Sequence, residues 1–222
     1  MRKLLIVFPV LFIHCLICHS QSNWFWQNPL PQGHNILAAH FINNSTGWIA
    51  GEHGTILKTS NGGIHWETQE SGRTSDLYSV CFTNSNSGFV AGNNGIILKT
   101  TNGGSNWIEL ISGVNSTLYT VFFIDDISGW ASGVNGKILK TTNSGANWSS
   151  QTINNNWFRA IFFTDYNTGW ITGQPGSIYK TTNGGVNWLN QLNGTDDLYS
   201  ISFVNSQTGW VVGENGVIMK TS

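Results

Sequence analysis

Charge is what this chain has least of. Only 9% of its 222 residues are Asp, Glu, Lys or Arg, ten basic against eleven acidic. A nucleic-acid binder needs a positive footprint to displace counterions from phosphate, so that class is excluded. Cysteine is scarcer still. Of the three, Cys15 and Cys18 fall in an N-terminal stretch that reads as removable, leaving Cys81 and no intramolecular disulfide. Packing alone must then hold the fold. Long apolar runs are missing as well: residues 4–17 are short for a membrane span and are broken by Pro9 and His14. The chain shows no phosphate-binding loop and no nucleophile elbow, and its histidines His34, His40, His53 and His65 lack metal-ligand spacing. No cofactor and no metal are expected.

The N-terminal stretch has its own logic. Arg2 and Lys3 precede the apolar run and Cys18-His19-Ser20 follow it, which marks residues 1–20 as an export signal. Cleavage implies a secreted or periplasmic protein with no membrane insertion afterwards. Removing Arg2 and Lys3 from the ten basic residues leaves eight against eleven acidic, a mildly negative mature chain.

Glycine and tryptophan, by contrast, are plentiful, at 26 and 11 residues, and both recur on a fixed period. Gly47-Trp48, Gly88-Phe89, Gly129-Trp130, Gly169-Trp170 and Gly209-Trp210 follow one another at steps of 40 or 41 residues. Such a period means one supersecondary unit that buries its apolar face only by stacking on its own copies. All the tryptophans except Trp26 and Trp157 lie on the repeat, so packing between sheets is their default role.

Each unit reads as four short strands. In the second, Leu77 to Phe82 alternates and is rich in β-formers, and Phe89 to Gly92 is a second strand. Ile96 to Thr100 and Trp107 to Leu110 supply the third and fourth, with Asn-, Ser- and Gly-rich turns between. Four antiparallel strands per forty residues, with no helical stretch, predict an all-β propeller of about five blades. The units run over residues 24–65, 66–106, 107–147, 148–187 and 188–222, all within one domain, residues 21–222. Trp24-Phe25-Trp26-Gln27 resembles the start of a fourth strand, while Lys220-Thr221-Ser222 matches the end of a third. Two expectations follow: the N-terminal strand completes the last blade, or the chain is a fragment of a larger ring.

Between the third and fourth strands stands Thr-x-Asn-x-Gly-x-x-Trp. Its copies are Thr59, Asn61, Gly63, Trp66; Thr100, Asn102, Gly104, Trp107; Thr141, Asn143, Gly145, Trp148; and Thr181, Asn183, Gly185, Trp188. Thr and Asn side chains can bond the turn backbone, Gly permits a left-handed residue, and Trp buries the far end. This pattern resembles the Asp-box of bacterial neuraminidase repeats, with Asn for Asp. Residues 169–188, with the surrounding repeats, resemble the photosystem II stability/assembly factor-like repeat family over essentially the whole chain after the signal. The resemblance implies a propeller and, in photosynthetic members, a role in assembling photosystem II through arginines on one face. Here only Arg73 and Arg159 remain after cleavage, and positions equivalent to Arg159 read as Ser79, Thr120, Ser200 and Ala38. Sialidases also carry Asp-boxes, but they hold the substrate carboxylate with three arginines.

Variation between repeats is concentrated in the 2–3 turns and 4–1 loops, which a meander places on one face. The candidate partner-binding residues there are Trp157, Arg159, Arg73, Asp76, Glu52, His53, Asp196, Asp197 and Glu214, with Trp157 and Arg159 as aromatic and cationic anchors. Asp125-Asp126 read as solvated turn residues, and no carboxylate pair spans a site as a glycosidase requires. The expected function is a secreted, non-enzymatic scaffold binding a protein or glycan. The alternatives are an assembly factor for a membrane complex and a sialidase-like hydrolase.

Overall fold

The computed structural model describes residues 33–221, and every regular element there is a β-strand or a single 3-10 turn. The expected export signal and the Trp24 to Gln27 segment lie outside the described residues. The first blade comprises β1 (Ile36–Phe41), β2 (Gly47–Gly51), β3 (Ile56–Thr59) and β4 (Glu67–Gln69). The second has β5 (Leu77–Phe82), β6 (Gly88–Gly92), β7 (Ile97–Thr100) and β8 (Ile108–Leu110). The third has β9 (Leu118–Phe123), β10 (Gly129–Gly133), β11 (Lys137–Thr141) and β12 (Ser149–Thr152). In the fourth are β13 (Trp157–Phe163), β14 (Gly169–Gln174), β15 (Ser177–Thr181) and β16 (Leu189–Asn193). The fifth shows β17 (Leu198–Phe203), β18 (Gly209–Gly213) and β19 (Ile218–Thr221), three strands among the described residues.

Every sheet is an antiparallel meander in chain order. The first strands of successive blades touch: β1 meets β5, β5 meets β9, β9 meets β13, and β13 meets β17. First strands are therefore innermost, and the exposed fourth strands form the rim. This is the expected β-propeller.

One seam, repeated, holds the blades together. Trp48 stacks on Phe82 of the next blade with centroids 3.5 Å apart, and Phe89 on Phe123 at 3.5 Å. Trp130 stacks on Phe163 at 3.6 Å and Trp170 on Phe203 at 3.8 Å. Each such pair adds about 0.5–1.5 kcal/mol beyond its buried area. Tryptophan is thus only half of the seam, and a phenylalanine at the end of each inner strand is the other half. That phenylalanine also accounts for the glycine before each Trp. Gly129 pairs with Phe123 across the strands, and a Cβ on Gly129 would lie 2.5 Å from the Phe123 ring.

The Asp-box turns work as their residue types suggest. Thr59 Oγ1 donates to Asn61 Oδ1 at 3.0 Å and accepts the Gly63 N–H at 2.8 Å, while Asn61 Oδ1 accepts the His65 N–H at 2.9 Å. The copies at Thr100, Thr141 and Thr181 repeat these bonds. Only acceptor oxygens are needed, so Asn replaces Asp without loss. The turn also docks on the preceding blade: Trp48 Nε1 donates to Gly103 O at 3.1 Å and Trp130 Nε1 to Gly184 O at 3.0 Å.

Candidate functional site

The face opposite the Asp-boxes is built from 3-10 turns and 4–1 loops. Glu52–Gly54, Asn93–Gly95, Val134–Gly136 and Glu214–Gly216 each carry a residue at positive φ, His53 at 55° and Asn94 at 58° among them. Behind each turn a main-chain oxygen of the inner-strand approach accepts a backbone N–H. Glu52 N–H bonds Asn35 O at 3.0 Å, Asn93 N–H bonds Asp76 O at 3.0 Å, and Glu214 N–H bonds Asp197 O at 2.7 Å.

Several predicted site residues prove to be fastenings of these turns. Asp76 accepts from the His53 N–H at 3.1 Å and from Asn93 Nδ2 at 3.3 Å, joining the first and second blades. Glu52 accepts from Asn35 Nδ2 at 2.9 Å, Asp196 from Asn215 Nδ2 at 2.9 Å, and Asp197 from Gln174 Nε2. Arg73 pairs with Glu109 on the outer strand β8, which draws it toward the rim. Asp125 caps its own turn, accepting the Ile127 N–H at 2.9 Å and the Ser128 N–H at 2.5 Å. The histidines do not converge: His34 and His53 stack at 4.5 Å, His65 sits in an Asp-box, and burial lowers the His40 pKa against a backbone bond to Phe82. Among the described residues no group of three or more His, Cys, Asp or Glu is placed to hold a metal ion.

Trp157 and Arg159 do come together, and in company that the sequence reading missed. Every first strand breaks register near its start, between Leu77 and Ser79 in β5, between Leu118 and Thr120 in β9 and between Phe158 and Ala160 in β13, with the same break in β1 and β17. The bulge re-aims the extra residue. Arg159 is that residue in the fourth blade, and its counterparts are Leu37, Tyr78, Tyr119 and Tyr199. This corrects the assignment of Ser79, Thr120, Ser200 and Ala38, which pair one step further along and correspond to Ala160. The recurring Leu-Tyr at 77–78, 118–119 and 198–199 was the available signal.

Three of the bulged residues, Tyr78, Tyr119 and Arg159, meet on the inner strands, with Trp157 beside them. Tyr78 and Tyr119 meet edge-on at 5.2 Å. The Arg159 guanidinium carbon lies 4.1 Å from the centre of the Tyr119 ring and 5.9 Å from that of Trp157, which is 44% exposed. Arg159 donates to Gln174 Oε1 at 3.2 Å, and its Nε is buried with no hydrogen-bond partner among the described residues. Burial, then the Asp76 charge, raises the Tyr78 pKa, and its hydroxyl is hydrogen-bonded to Asp76 and Asn93. The result is a cationic, aromatic cup with an Arg159 N–H that has no hydrogen-bond partner among the described residues.

Comparison with known proteins places these features in context. The family described as photosynthesis system II assembly factor YCF48 matches residues 18–113 and 109–196. No curated protein matches the chain. Among solved structures, a YCF48 bound to a D1 peptide is 19% identical, with a TM-score of 0.50, covering 86% of this chain and 94% of that one. The WD40 propeller domain of Doa1 is 14% identical with a TM-score of 0.67, covering 85% of this chain and 66% of that one. A GH74 enzyme of Niastella koreensis is 19% identical with a TM-score of 0.66, covering 79% of this chain but 33% of that one. At these identities the likeness to solved structures is one of fold.

Proposed function

The chain belongs to the photosynthesis system II assembly factor YCF48 family, and on that premise we propose that it is an exported, non-catalytic scaffold. Its partner is a peptide segment of a membrane-complex subunit, gripped at the Tyr119–Arg159–Trp157 cup. The single observation carrying this reading is the stacked guanidinium of Arg159 with an unpaired buried Nε, next to an exposed indole. Aromatic and arginine anchors of this kind dominate binding energetics, and a peptide supplies the carbonyl and carboxylate acceptors they lack. The solved relative with a peptide bound favours a protein over a glycan. Export is supported by the Arg2-Lys3 start and the apolar run behind it. Glu52, Asp76 and Asp197 are occupied in holding turns, which favours binding over acid–base chemistry at this face.

An array of peptides drawn from membrane-protein termini and loops tests the proposal. Wild-type protein is expected to select a subset, with Trp157→Ala and Arg159→Ala each weakening capture by roughly tenfold or more. Equal capture by wild type and both variants would remove the cup as the site. The thermal midpoint of Trp157→Ala should stay near wild type, since that ring lies outside the core.

A further inference from the structure

Arg159 is the cation of the cup, and the groups it leans on are neutral. Its side chain is partly buried, lies over the Tyr119 ring and donates to Gln174 Oε1 at 3.2 Å. No carboxylate pairs with it among the described residues, whereas Arg73 has Glu109. A guanidinium drawn out of water without an anion is costly, and one amide oxygen offsets little of that. Yet an anion is close by. Asp197, just ahead of β17 in the fifth blade, accepts from Gln174 Nε2.

Gln174 therefore stands between a cation on its own blade and a carboxylate on the next, its oxygen toward the first and its nitrogen toward the second. That placing fixes the amide's orientation, since the reverse would set N–H against N–H and oxygen against oxygen. It also restricts the residue. A carboxylate at 174 would face Asp197, a second cation would face Arg159, and an apolar side chain would serve neither. The second blade has a matching amide. Asn93 Nδ2 donates to Asp76 of its own blade at 3.3 Å, and Asn93 Oδ1 accepts from Thr117 Oγ1 of the next at 3.0 Å. A bridging amide is thus a tie between blades in both places. In the fourth blade it is turned the other way, with the guanidinium at its oxygen, and the tie has a second consequence. It holds Arg159 on Tyr119 and engages Asp197 with an amide instead of with the guanidinium.

We infer that Gln174 is a positioning residue that sets the specificity of the cup: it keeps Arg159 stacked and unneutralised, so that the guanidinium meets a carboxylate of the bound segment. The inference rests on the cup being the peptide site, and it adds the chemistry the peptide must bring there. Hydrogen bonds between a guanidinium and a carboxylate are roughly twice as strong as neutral ones, and stronger still where water is thinned by rings such as Tyr119 and Trp157. An Asp or Glu side chain and a chain terminus offer the same two oxygens.

The test uses peptides that the wild-type protein selects from the array, each made in three forms: as selected, with Asp and Glu changed to Asn and Gln, and with the C-terminus amidated. Wild type is expected to bind one altered form about tenfold less tightly or worse, and which form it is names the source of the carboxylate. Gln174→Glu sets a carboxylate against Arg159, and the preference should shrink to about twofold or less. Gln174→Glu with Asp197→Asn keeps both hydrogen bonds and removes the facing carboxylates. Its thermal midpoint should stay near wild type, and the preference should be lost here too. A preference retained by this double variant would reduce Gln174 to a tie between blades and overturn the inference, as would a wild type indifferent to both changes. Capture unaltered by Arg159→Ala would instead remove the cup as the peptide site, and this inference with it.

Discussion

The two faces of this propeller are made from the same backbone and obey different rules. On the Asp-box face, residue identity hardly changes from blade to blade, because each side chain has a specific bond to make. Thr141 Oγ1 must accept the Gly145 N–H, and Asn143 Oδ1 the Asn147 N–H. On the opposite face the bonds that hold the turns run largely through main-chain oxygens, those of Asn35, Asp76, Thr117 and Asp197. Side chains there are freer to differ, and the bulge on each inner strand turns one of them toward the opening. Constancy marks the scaffold, and variation marks the face that carries the proposed site.

The sharpest way to break that contrast is to cut the same kind of ring from each side. Trp130→Ala removes a buried stack on Phe163 and the bond to Gly184 O, and should cost about 3–5 kcal/mol in denaturant unfolding. Tyr199→Ala, half-exposed on β17 on the opposite side of this contrast, should cost well under about 1 kcal/mol. Similar losses would erase the distinction. Next in size, Thr141→Val leaves the Gly145 N–H and Asn143 without their partner in a buried turn, an expected loss of about 1–3 kcal/mol by the same measurement. Peptide capture by this variant should survive.

Cys81 tests the seam kinetically. Its thiol is buried between the second and third blades against the Phe123 backbone, and burial pushes its pKa up to about 11. A thiol reagent at neutral pH should label it only as fast as the blades part, with labelling rising steeply across the unfolding transition. Fast labelling of the native protein would mean an open seam.

The smallest effect concerns Asp165. The backbone N–H groups of Asn167 and Thr168 hold its carboxyl below the usual range. A depressed folded-state value stabilises above the unfolded carboxylate pKa of about 3.9 and is lost as pH falls through the folded value. Asp165→Asn keeps the acceptor, as Asn43, Asn84 and Asn205 do in their blades, so stability at pH 7 should change by less than about 0.5 kcal/mol. The acid-side slope should flatten; an unchanged slope would discount the turn as its source.

The fold was legible because side-chain-specific bonds and ring stacks demand particular residues at a fixed interval, as Gly129-Trp130 and Thr141-x-Asn143 show. The cup was half legible. Trp157 and Arg159 stood out as anchors, but alternation alone does not reveal a bulge, and one uncounted residue moved Arg159 away from Tyr78, Tyr119 and Tyr199. Asp76 and Asp197 looked available because sequence shows a loop carboxylate without the turn amides and side-chain donors it satisfies. Phe82, Phe123, Phe163 and Phe203 recur as regularly as the tryptophans, yet only the stacked geometry reveals that each is half of a seam.

Hydrogen exchange of the protein with and without an array-selected peptide addresses the central claim most directly. New protection should appear in β9 and β13 around Tyr119 and Arg159, with the four Asp-box turns unchanged. Protection confined to the Asp-box turns, or absent from β9 and β13, would contradict the division of labour between the two faces.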